Sequence, residues 1–148
     1  MPPLARLLGY AGLLPHIAVV LVLLERNSEL RFSALALGYA YAVIILSFLG
    51  GMWWGLAARA SPVPGQAPGW IWIAAVTPSL IALGSAVPWA TGDAWPGPSL
   101  IMVGAALLVS PVVDWRLAHG GLVPDWWLRL RIPLSFALGT MTIAMALL

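Results

Sequence analysis

The chain has 148 residues, 61% hydrophobic and only 8% charged, with a mean hydropathy of +0.96. A soluble domain carries about 25% charged residues, so seven Arg and five acidic side chains cannot coat a globule of this size. Composition therefore excludes an ordinary soluble domain, a disordered tail and a nucleic-acid binder with a broad basic face. The lack of Cys excludes disulfides, thiolate metal sites and cysteine nucleophiles.

An all-α integral membrane protein remains, and the spans can be read in order. A spanning helix needs about 20 mostly apolar residues, and the charges and Pro/Gly clusters cut the chain into five such pieces. They cover approximately 7–24, 32–58, 70–90, 98–118 and 126–148. A transmembrane barrel would alternate apolar and polar residues; these runs are unbroken. The uncharged part of the fifth span, 132–148, holds 17 residues, the short end of the spanning range, and a re-entrant last segment would reduce the count to four. The links are brief. Three prolines in the nine residues 61–69 predict a stiff, non-helical connection. Neither that link nor 91–97 could hold a soluble domain, so one membrane domain is expected over 1–148. No internal repeat is evident. No small-x-small cleavage site follows span one, which is expected to stay in the mature protein.

Orientation follows from the arginines. With the N-terminus inside, Arg6, Arg59, Arg116, Arg129 and Arg131 fall on the inner side and Arg26 and Arg31 on the outer. That asymmetry predicts a cytoplasmic N-terminus. Most of the nine Trp fall near span ends, as an interfacial aromatic belt would. Trp53 and Trp54 sit late in the longest span, where one of them could face an interior cleft.

Several side chains could carry function. Gly51-Met-Trp-Trp-Gly55, preceded by Gly50, places small residues on a helix face that admits a close neighbour, or kinks the helix. His16 follows Pro15 in the middle of span one. At that depth an ionisable group faces a protein interior, as a proton handler, a ligand contact or a neutral ring donating to a carbonyl freed by the kink. With one other His in the chain, no metal site is expected. Asp114 and Arg116 close span four, while Asp125, Trp127, Arg129 and Arg131 open span five across a short link. Asp125 and Arg129 are spaced to pair along a helix, and Trp127 and Arg131 to stack as ring and cation. Asp114 then needs a partner from Arg129, Arg131 or Arg6. The group reads either as a clamp between two helix ends or as an anion pocket. In the pocket, Arg forks would grip a phosphate or carboxylate. Spans one, three and five each carry an internal proline, at Pro15, Pro78 and Pro133, which is expected to shape the bundle.

Four segments resemble a known family. They are Leu8-Gly-Tyr-Ala-Gly-Leu-Leu-Pro15, Leu46-Ser-Phe-Leu-Gly-Gly-Met-Trp-Trp-Gly55, Thr77-Pro-Ser-Leu80, and Asp114 followed by Gly121-Leu-Val-Pro-Asp-Trp-Trp-Leu-Arg-Leu-Arg131. The chain resembles small membrane proteins grouped under a domain-of-unknown-function label, with mitochondrial transmembrane-protein-69-like proteins as eukaryotic relatives. Where such relatives often have Tyr after the Trp, this chain has Trp127. The resemblance implies a multi-span protein of a bacterial or mitochondrial inner membrane and implies no activity or cofactor. Arg without Lys favours a bacterial source, hence the bacterial inner (plasma) membrane.

Three functional readings follow. In the first, an amphipathic small molecule or membrane lipid sits in a cleft where Arg116, Arg129 and Arg131 meet the head, Asp114 orients an Arg, and Trp53, Trp54 and Trp127 line the apolar part. In the second, the chain is a structural subunit or assembly factor that binds another membrane protein or itself. The third, an intramembrane enzyme or proton-coupled carrier using His16 and Asp114, is the weakest, because no catalytic set stands out. Nucleic acid is not an expected partner.

Overall fold

A computed structural model describes residues 1–26, 28–60, 67–93 and 95–148. Among these residues eight helices make up five rods. They are α1 (Pro3–Ala11), α2 (Leu14–Leu24), α3 (Ser28–Ala60), α4 (Gly69–Ser85), α5 (Val87–Thr91), α6 (Gly97–Val109), α7 (Pro111–His119) and α8 (Trp127–Leu147). Among the described residues there is no strand. Among the described residues, five stretches are long and apolar enough to cross a membrane: Pro3–Leu24, Ser28–Ala60, Gly69–Thr91, Gly97–His119 and Trp127–Leu147. The last is a helix of 21 residues, so the re-entrant alternative falls away. The proline-rich link expected over 61–69 lies mostly outside the described residues.

Proline explains why five rods contain eight helices. Pro15, Pro88 and Pro111 each sit in the first turn of the helix that follows a break, where a missing N–H costs least. Pro78 and Pro133 lie inside unbroken helices. Hydroxyls bond carbonyls at two of these breaks. Pro111 cannot donate to the Leu107 carbonyl, and Ser110 Oγ donates there instead at 2.8 Å. Near Pro15 the Tyr41 hydroxyl donates to the Gly12 carbonyl at 2.7 Å. In lipid every such carbonyl needs a partner from within the protein.

Two crossings set the packing. A side-chain carbon on Gly50 would collide with the Ala75 carbonyl oxygen, which fixes α3 against α4. A carbon on Gly104 would lie 2.9 Å from the Gly139 oxygen, and one on Gly139 would lie 2.9 Å from the Gly104 oxygen, so α6 and α8 touch backbone to backbone. Gly51 and Gly55, the pair expected to admit a neighbour, meet nothing within 4 Å. Within the chain the contact is made one residue earlier, at Gly50. The core between these crossings is built from Leu46, Leu49, Trp53, Ile71, Leu107 and Leu117. The outer surface is equally apolar: Leu83 is 69% exposed and Ile73 68%. In water such a surface would be an aggregation liability; in a bilayer it is the solvent-facing side.

A buried carboxylate at the arginine-bearing end

The C-terminal ends of α3 and α7 and the N-terminal end of α8 meet at one end of the bundle. Asp114 lies there on α7, one turn beyond Pro111, and is 0% exposed. Its carboxylate is engaged from three sides. Trp53 Nε1–H donates to Oδ1 at 3.1 Å and Trp127 Nε1–H to the same oxygen at 3.0 Å. Arg131 Nε–H donates to Oδ2 at 3.0 Å, which is also an ion pair. Trp127 and Arg131 are four residues apart on α8 and so share a face; α3 contributes Trp53 from the other side.

An isolated carboxylate in this setting would be very costly. Here the charge is paired and both oxygens accept hydrogen bonds, the condition under which a buried ion pair persists. The guanidinium is less well served. With Oδ1 held by two indoles, Arg131 engages Oδ2 through Nε, and its Nη2 is buried without a hydrogen-bond partner. Arg131 itself is 8% exposed.

The other candidates are placed differently. Arg116 is exposed, with its guanidinium 5.9 Å from the centre of the Trp70 ring. Arg129 and Asp125 are exposed, and the pair expected between them does not form. The expected stack of Trp127 on Arg131 is also replaced: both side chains turn to Asp114, because a buried carboxylate outcompetes a ring–cation contact for their donors. Trp54 is half-exposed and lies edge-on to Trp72, ring centres 4.8 Å apart.

His16 belongs to a separate polar set. It is 0% exposed, and its Nε2 lies 2.9 Å from Thr142 Oγ1. That hydroxyl donates to the Leu138 carbonyl at 2.7 Å, so it accepts from His16. The ring is therefore the Nε2–H tautomer, and Nδ1 has no partner. The imidazole, expected to donate to a carbonyl freed by the kink, meets Thr142 instead, and the Gly12 carbonyl near Pro15 accepts from Tyr41, whose ring lies 5.3 Å from that of His16. Thr142 lies eleven residues beyond Arg131 on α8, about 16 Å along the helix axis. His16 and Asp114 are thus not brought together as an acid–base pair. Sequence reasoning missed Thr142 and Tyr41. Two threonines, Thr140 and Thr142, in the apolar run of span five were the available signal, since two buried polar groups in lipid seek each other.

Two cavities adjoin the Asp114 cluster. One of about 280 Å³ lies between α3, α4, α6 and α7, and Trp53, Leu46, Pro78, Ile81, Ser110 and Val113 are among its walls. The other, about 260 Å³, lies at the end of α3, between Arg59 and the turn over 121–124. Among the described residues no three His, Asp or Glu gather as a metal ion would need.

The family model described as a protein of unknown function, DUF3429, matches residues 1–147. The chain belongs to that family. Searches of curated proteins and of solved structures return no match. The segments that carry the resemblance now have physical roles. Gly12 accepts from Tyr41, Gly50 admits α4, and Trp53, Asp114, Trp127 and Arg131 form one hydrogen-bonded cluster.

Proposed function

We propose that this DUF3429 protein lies in a bacterial inner membrane with its N-terminus cytoplasmic. Its arginine-bearing end holds the anionic head of an amphipathic small molecule or lipid. The orientation rests on Arg6, Arg59, Arg116, Arg129 and Arg131 sharing one end of the bundle. Kinship with the mitochondrial transmembrane-protein-69-like proteins is inferred from the resemblance of the four segments, of which Ser47–Gly55 and Gly121–Arg131 are the most specific. One observation carries the binding reading. Arg131 is nearly buried with Nη2 unpartnered, while Trp53, bonded to the same carboxylate, walls an apolar cleft of about 280 Å³. That volume lies near the lower end of ligand pockets, about 300–1,000 Å³. Arg116 and Arg129, exposed at the same end, supply further charge for a phosphate or carboxylate.

The test is native mass spectrometry of protein extracted in mild detergent. The wild type should retain an anionic amphiphile that the doubly substituted Arg116→Gln, Arg129→Gln protein loses while still folding. Equal retention by both proteins, or none by either, refutes the reading.

A specific observation favours a second reading, a structural subunit or assembly factor. Gly51 and Gly55 lie on an exposed stripe of α3 with open space around them, a face that admits another helix backbone. A membrane protein that co-purifies with the wild type, and is lost on Gly55→Ile, would support it. Nothing comparable supports a proton-coupled carrier, because His16 is fully enclosed.

A further inference from the structure

The end of the bundle opposite Asp114 carries Arg26 and Arg31. There α3 and α4, which touch at Gly50 and Ala75, are joined again by the Tyr39–Ser85 hydrogen bond, with an open face between them from Phe32 on one helix to Trp89 beyond the other. The space between them is a groove of about 640 Å³. Its floor is made of small residues, Ala36 and Ala40 on α3 and Ala82 and Ala86 at the end of α4, and Ser47 and Ser79 mark the narrow end. Phe32 to Ser47 is fifteen residues of helix, about 22 Å. The groove therefore follows about that length of α3, room for an extended apolar chain.

Its mouth is aromatic. Trp95 stands in the link before α6, with the rings of Phe32 and Tyr39 each 5.7 Å away and that of Trp89 6.3 Å away. The Tyr39 ring meets Trp95 at 89°, edge to face. Tyr39 spends its proton within the protein. Ser85 Oγ donates to the Ala82 carbonyl at 2.7 Å and so accepts from the Tyr39 hydroxyl at 2.8 Å. Trp95 does not: its Nε1–H is buried with no hydrogen-bond partner. A buried unsatisfied donor carries a cost of about 1–3 kcal/mol. The rings of Phe32 and Trp89 beside Trp95 are not locked in the core: Phe32 is 65% exposed and Trp89 64%. No charged side chain lines the groove, and Arg31, next to Phe32, is engaged by the Leu148 carbonyl.

We propose that this groove binds a membrane-soluble molecule with a planar, carbonyl-bearing ring and one apolar tail, the chemistry of a prenylated quinone. The ring sits among Phe32, Trp89 and Trp95, where flat aromatic faces favour a flat head. A ring carbonyl accepts the Trp95 Nε1–H. The tail lies along the alanine floor between α3 and α4. The proposal concerns binding alone and is independent of the arginine-bearing end.

Decylubiquinone titrated into the protein in phosphatidylcholine nanodiscs, read by quenching of tryptophan fluorescence, tests it. The wild type should show a saturable component. Trp95→Phe keeps the ring and removes the donor, and should raise the half-saturation concentration about threefold to tenfold, the range for one neutral hydrogen bond. Ala40→Phe plugs the exposed floor and should abolish saturation. Both positions lie outside the buried core, and circular dichroism checks that helix content is unchanged. Quenching that rises linearly with quinone in the wild type overturns the proposal, as does saturation unaltered by Ala40→Phe. An unchanged half-saturation in Trp95→Phe overturns the assignment of the head. Saturable wild-type binding that phosphatidylcholine with brominated acyl chains displaces as effectively as quinone shows a lipid-chain groove and also overturns it.

Discussion

Two buried polar clusters in the same bundle solve the problem of polarity in lipid differently. Near one end, Asp114 carries a full charge and is met by a guanidinium and two indoles. About 16 Å further along α8, His16 meets only Thr142 and leaves Nδ1 unpartnered. The difference follows from what each group costs. A carboxylate without a counter-charge cannot stay ionised at depth, so three elements must converge on it. A neutral imidazole needs one acceptor for its N–H and tolerates a bare lone pair far better. The charged cluster therefore ties α3, α7 and α8 together, whereas the neutral one ties α2 to α8 with a single bond.

The contrast can be broken most strongly at Asp114. Asp114→Ala leaves the Arg131 cation buried and two indole donors orphaned, and should destabilise the fold by about 3–5 kcal/mol, measured by reversible unfolding in mixed micelles. Pairing Asp114→Asn with Arg131→Leu removes both charges and keeps an acceptor for the indoles; most of that loss should return. If the double variant is no better than the single one, the ion pair is not the source of the effect. Trp127→Phe removes one donor to a charged acceptor and should cost about 1.5–3 kcal/mol in the same assay. Thr142→Val, the matching cut in the neutral cluster, should cost only about 0.6 kcal/mol, the average for side-chain hydrogen bonds between membrane helices. A Thr142 effect as large as that of Trp127 would erase the distinction between the clusters.

Much of the architecture was legible in the residues. The five rods follow from apolar run lengths, and the proline breaks from the missing N–H. The Asp114 partner was narrowed to Arg129, Arg131 or Arg6, and α8 selects Arg131 because that residue shares a helix face with Trp127 rather than with Asp125. One of Trp53 and Trp54 was expected to face an interior cleft; Trp53 is the buried one, and its N–H reaches a carboxylate 61 positions away, a contact with no local signature. The same holds for Gly104 and Gly139, which no short motif marks as a pair.

Hydropathy alone determines that the chain is helical and membrane-embedded, since unbroken apolar runs leave the backbone no partner but itself. Which side chains meet was decided only when the rods packed. Close approach is set by the absence of a side chain at Gly50, Gly104 and Gly139, and it turns residues scattered along the chain into one charged cluster, one neutral cluster and one open groove.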